Sequence, residues 1–262
     1  MLGKSKLNDS KKLIGVNQCI YCGRKGVTLS DEHIISVAIG GKWILPKSSC
    51  KRCSKITGKL EGHCFRGTLI GFRAIHNITG RRPKEMPKEL PLVIVKRDGR
   101  VEIDNLPITK YPAFLLLPQL NETPTILTNK TPDADKKIDV WGTVFNSDTL
   151  DNYRNSQAGF VPINLGKWLR MLAKIAHSYA IAQLGVNGFK PLLTKLIRGH
   201  DNFPTHYIGC LGEAITAKED FLHRLDLITL NDDKNAIKFI VVNLRLFANF
   251  GSPQYHIVVG TV

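Results

Sequence analysis

Apolar positions change their period along the chain, and the period assigns the elements. Leu165, Trp168, Leu169, Leu172, Ile175, Ala176 and Tyr179 recur at three- and four-residue steps, which predicts one long core-packed helix over 165–184, stopped by Gly185. A shorter helix is predicted from Leu192 to Arg198. Elsewhere the runs are strand-like: Leu92 to Lys96 and Val101 to Ile103 about an Asp98-Gly99 turn, then Ala113 to Leu117 and Ile138 to Phe145. Ala236 to Phe247 and Tyr255 to Val259, joined through Gly251-Ser252-Pro253, predict a closing hairpin. There is no internal repeat and no glycine-rich phosphate loop.

Ahead of these elements the pattern is denser. Ile34 and Ile35 follow Asp31-Glu32-His33 and root that polar triplet in a short strand, Gly40-Gly41 permit a sharp return, and Ser54 to Phe72 is amphipathic. The order is strand, loop, strand, helix. Pro83, Pro87 and Pro91 then forbid helix and sheet to continue. The expected organisation is a module at 13–80, a proline-rich linker at 81–91 and an α+β region at 92–262 with hairpins and the long helix, its ligand unassigned.

Charge singles out the same N-terminal third. Residues 1–82 hold 16 Lys and Arg against 4 Asp and Glu, whereas the remainder holds 21 against 18. A field so concentrated draws polyanions. The longest apolar runs are strand-sized, which excludes an integral membrane protein, and no apolar core follows the basic opening MLGKSKLNDSKK, so no secretory signal is read and a cytoplasmic setting is expected.

In a reducing setting six cysteines are read as metal ligands or core thiols. Cys19, Cys22, Cys50 and Cys53 form two CxxC pairs separated by 27 residues, and four thiolates suit a tetrahedral structural Zn²⁺. The competing reading, a redox dithiol, needs a strand-turn-helix setting, whereas Gly23 and Gly26 place the first pair in a loop. Cys64 and Cys210 are read as small buried fillers.

The ordered set CIYC, DEHII, GG and CKRC resembles the HNH endonucleases of the ββα-metal, treble-clef-like type with two CxxC zinc pairs. The resemblance implies hydrolysis of DNA phosphodiester bonds, with His33 as general base and Asp31 in support. It also implies that Glu32 is a ligand of a catalytic Mg²⁺ or another divalent cation distinct from the zinc. Three positions depart from the family pattern. Ser54 stands where a further ligand, Asn or His, is expected; no Asn occurs at 45–48; and Ser36 replaces the usual Pro. Gly58 and Glu61 fall on the helical face of Ser54, so Glu61 is a candidate replacement ligand, or else an acid favoured by the helix dipole.

Lys42, Lys47, Lys51, Arg52, Lys55 and Lys59, with Arg66, Arg73, Arg81 and Arg82, are candidate contacts to a nucleic-acid backbone, and Trp43 is either a stacking residue or an apolar cap. DNA is the expected partner, RNA the alternative, and the C-terminal region would select targets or form a homodimer. His63 and His76 are read as surface or packing residues, and the five later histidines as structural. The second functional reading is a zinc-stabilised nucleic-acid-binding module without catalysis, its metal ligation lost at Ser54.

Overall fold

The computed structural model describes residues 5–6, 11–67, 69–80, 86–128, 130–131, 138–159, 163–210, 218–232 and 235–262, so Arg81, Arg82 and Pro83 lie outside the described residues. In chain order the elements are β1 (Ser5–Lys6), β2 (Lys11–Lys12), β3 (Leu29–His33), β4 (Trp43–Cys50), α1 (Lys51–Arg66) and α2 (Ile70–Ile75). They continue as β5 (Glu89–Lys96), β6 (Val101–Pro107), β7 (Ala113–Leu120), β8 (Ile138–Phe145), β9 (Ser156–Gly159) and α3 (Leu165–Leu184). The last are β10 (Lys190–Pro191), α4 (Thr194–Arg198), α5 (Pro204–Tyr207), β11 (Ile208–Cys210), β12 (His223–Asp232), β13 (Ile237–Leu246) and β14 (Tyr255–Thr261). The α+β class read from the sequence is the one observed.

The N-terminal strands β2, β4 and β3 make a small sheet that runs directly into α1, giving the expected ββα order. The largest sheet is C-terminal, in the order β1-β12-β13-β14-β10 with β11 also on β14. The hairpins β5–β6 and β13–β14 form as predicted, and β7 pairs with β8. The long helix has the predicted span. Asn164 caps its start, accepting from the Lys167 N–H at 3.0 Å, and Gly185 ends it at φ 77°.

Two expectations need correction. Pro91 lies inside β5, not at the end of a linker. There β5 pairs only with β6, through Asn105, because β9 covers only Val93 to Lys96; no ladder donor is needed at 91. The helix expected over the amphipathic stretch from Ser54 begins a turn earlier, at Lys51, with Cys50 as its cap.

Helix α3 is buried almost all round and packs against α1 and against β13 and β14. One apolar cluster therefore runs from Cys19, Tyr21 and Ile34 through Trp168, Leu172 and Ile175 to Leu225, Leu244 and Ile257. Among the described residues no helix is long and apolar enough to cross a membrane.

Three buried polar side chains from the C-terminal region take backbone carbonyls of the N-terminal module. Lys174 Nζ donates to the His33 carbonyl, His177 Nε2 to that of Ile20 at 2.8 Å, and His223 Nε2 to that of Ile39 at 2.6 Å. The second ring nitrogen of His223 accepts from the Phe247 N–H, and that of His177 is buried without a partner, so both rings are neutral single donors. Burial lowers the pKa of each to about 4.

Between pH 6.5 and 4 the unfolded chain binds a proton at His177 that the folded chain refuses. Stability therefore falls as pH falls through that window and levels off below it, by about 3 kcal/mol at most per histidine. His177→Gln keeps a donor for Ile20 without titrating. Urea unfolding is expected to show a shallower loss of stability for this variant than for wild type between pH 6.5 and 4, and parallel profiles would refute the assignment.

Candidate active site

The two CxxC pairs meet although 27 residues separate them. Left-handed Gly23 closes a turn by donating to the Cys19 carbonyl, and the Ile20 N–H ties that turn to Ser48 of β4. Cys50 ends β4 and Cys53 lies in the first turn of α1. All four Sγ atoms lie within 4.8 Å of one another, and Cys22 and Cys50 are 3.7 Å apart. A disulfide would need about 2.05 Å, whereas a tetrahedron with Zn–S of about 2.3 Å has edges of about 3.8 Å. The donors fit zinc. Burial pushes the Cys50 thiol up, but hydrogen bonds from the Cys53 backbone and from the other sulfurs outweigh it and bring the pKa down to about 7. Cys64 and Cys210 are buried and isolated from the cluster, and burial raises their thiols to about 12 and about 11.

Beside this cluster the polar triplet is shaped by an irregular ladder. Between the pairs Ser30–Ser49 and Glu32–Leu45, β3 contributes only Asp31, while β4 contributes Pro46, Lys47 and Ser48. Lys47 is left-handed at φ 48°, and its N–H donates to Asp31 Oδ1 at 3.1 Å. This is the distortion that lets adjacent strand residues serve one site. After the triplet, Ser36 caps a 3-10 turn (Val37–Ile39) that closes on left-handed Gly40. Gly41 is required by contact: a Cβ there would lie 1.9 Å from the Ile35 carbonyl oxygen.

Asp31, Glu32, His33, Ser54 and Glu61 all line one cavity of about 720 Å³, closed on another side by Arg66, Ile70, Arg73 and Met86. Ser54, Gly58 and Glu61 do share a face of α1. Ser54 Oγ donates to the Lys51 carbonyl at 3.2 Å. Lys42, Lys47, Lys51, Arg52, Lys55 and Lys59 are exposed, as backbone contacts require. Trp43 is not available for stacking: it is buried against Tyr179, with the Lys11 ammonium 5.0 Å above its ring. Neither His63 nor His76 reaches the cavity; His76 packs among Phe72, Phe145 and Phe250.

Lys174 is the site residue that sequence reasoning missed. It is 1% exposed, and its Nζ lies 2.7 Å from Glu32 Oε1 and 2.8 Å from Glu61 Oε1. Burial opposes its charge, but the two carboxylates outweigh that and hold the ammonium protonated. Burial pushes Glu32 above the ordinary carboxylate range; Lys174 pulls it down, Glu61 pushes it further up, and Tyr21 adds a hydrogen bond that favours the ionised form. In the sequence Lys174 falls on the polar side of the long helix, with Lys167, Arg170, His177 and Ser178 at three-, four- and seven-residue steps, so nothing there marks it as buried.

This arrangement bears on the expected divalent cation. Among the described residues the cysteines are the one group of three or more His, Cys, Asp or Glu with ligand atoms mutually within 4.8 Å. Glu32 and Glu61 instead converge on an ammonium. Lys174 thus takes one oxygen of each of the candidate ligands Glu32 and Glu61.

Residues 19–61 match the family model described as HNH endonuclease. The match begins at the first cysteine of the cluster and ends at the glutamate that faces Lys174, so the resemblance carried by CIYC, DEHII, GG and CKRC holds over that segment. Neither the curated proteins nor the solved structures contain a match to the chain.

The purified protein is expected to carry one zinc per chain by elemental analysis, and Cys53→Ser to lose both the metal and the cooperative calorimetric transition; a folded, zinc-free wild type would refute the site. Lys174→Met strands two carboxylates and is expected to cost about 3–5 kcal/mol in urea unfolding. Adding Glu32→Gln and Glu61→Gln to it should recover most of that loss. Additive losses across the three would mean that the charges are not coupled.

Proposed function

We propose that the chain is an HNH-type endonuclease that hydrolyses phosphodiester bonds of DNA, with His33 as general base. A neutral imidazole takes a proton from water, and the resulting hydroxide attacks phosphorus while the 3′ oxygen departs. Exposed Lys42, Lys47, Lys51, Arg52, Lys55 and Lys59 hold the strand through its phosphates, with little base readout. The observation that carries this reading is the place of His33. It lines a cavity wide enough for a nucleotide, inside the segment that matches the HNH endonucleases, and its own carbonyl is pinned by Lys174.

One observation favours a second reading, a nucleic-acid-binding module without hydrolysis: Glu32 and Glu61 are spent on Lys174 instead of being open to a cation. A plasmid-nicking assay separates the two. Supercoiled DNA is incubated with the wild type in Mg²⁺, in Mn²⁺ and in EDTA, beside His33→Ala. The nuclease reading expects nicking by the wild type and at least a hundredfold loss in His33→Ala. DNA retention without nicking in any condition would establish the binding module, and nicking of RNA alone would move the substrate class.

A further inference from the structure

Arg73 of α2 lies beyond the family match, and nothing in the hydrolytic scheme uses it. Its side chain is 5% exposed, yet it lines the same cavity as His33. Nη1 donates to the Phe65 carbonyl at 3.0 Å, which satisfies a backbone acceptor in the last turn of α1. Its Nε–H is buried with no hydrogen-bond partner. Among the described residues no carboxylate pairs with this guanidinium. The charge that acts on it is a like one, Arg66, on the same cavity wall; burial first and Arg66 second push its pKa down.

A buried guanidinium without a counter-ion, beside a second arginine, is costly unless an anion completes it. Arginine is the side chain best matched to a phosphate, through paired N–H donors. The acids of the cavity do not oppose such a guest strongly, since Lys174 already neutralises part of their charge.

We propose that Arg73 and Arg66 form a phosphate-binding subsite in the cavity wall, which seats a backbone phosphate of the nucleic acid within the cavity that holds His33. The assignment of the phosphate to a nucleic acid rests on the nuclease reading; the anion site itself does not.

The test uses the full-length, zinc-loaded protein. Inorganic phosphate is the first probe, read by thermal shift, and a fluorescent DNA duplex in EDTA is the second, read by anisotropy across a salt series. Wild type should be stabilised by phosphate, and Arg73→Met should lose that response. Duplex affinity should fall about 10- to 100-fold in Arg73→Met. The slope of log affinity against log salt should become shallower by about 0.9 per arginine removed. A packing role alone would leave that slope unchanged. Arg66→Ala is exposed and spares the Phe65 contact, so it decides the matter if Arg73→Met does not fold; it should show a weakened phosphate response and the same loss of slope.

Variants that fold and keep both the phosphate response and the slope of the wild type would overturn the subsite. Phosphate binding that depends on Arg73, with no nicking by wild type, would uphold the subsite while removing the nuclease reading. Nicking by wild type that is unchanged in both variants, together with a wild-type phosphate response and slope in both, would do the reverse.

Discussion

The structure turns on one buried ammonium. Lys174 satisfies three acceptors at once, a carboxylate from β3, a carboxylate from α1 and the carbonyl of His33. Three charges out of water cost several kcal/mol each, and their mutual attraction roughly offsets that, so the cluster adds little net stability over an apolar replacement. What it supplies is register. β3 and α1 can approach only in the arrangement that brings Glu32 and Glu61 to the same nitrogen. His177 and His223 extend the logic, each holding a carbonyl of the N-terminal module that would otherwise be buried without a donor.

The cysteine cluster and the lysine thus fix different parts of the same site. The cysteines join the loop before β3 to the start of α1, and Lys174 joins β3 to the third turn of that helix. Between these two anchors lies the irregular stretch of β3 and β4 that turns Asp31, Glu32 and His33 toward the cavity. The family match ends at Glu61. Lys174 and Arg73 lie outside it, so the segment with the recognisable motif is not the whole of the site.

What was legible in the sequence was local. The CxxC spacing, the ββα order, the span of α3 with its terminal glycine and the β13–β14 hairpin depend on neighbours within a few residues or on one repeated period. Pro91 misled because the proline rule is a rule about donors, and a strand paired on one side at that point has none to lose. β12 passed without a period-based assignment although Leu225 and Leu227 alternate, because Ile228 and Leu230 blur its two faces. Trp43 was ambiguous because its neighbour, Tyr179, comes from a distant helix. Lys174 was illegible for the same reason: its partners stand 113 and 141 residues away, and nothing in the order of the chain announces such a meeting.

The continuous core has a further consequence. Because Ile34, Trp168 and Leu244 belong to one cluster, damage to the terminal sheet does not stay there. A strand lost from β13 or β14 loosens the seat of α3, and with it the grip on the strand that carries the imidazole. The fold thus makes a remote C-terminal lesion and a blow to the loop of Asp31, Glu32 and His33 the same kind of event, and transplanting the cysteine segment into another scaffold would leave half of its supports behind.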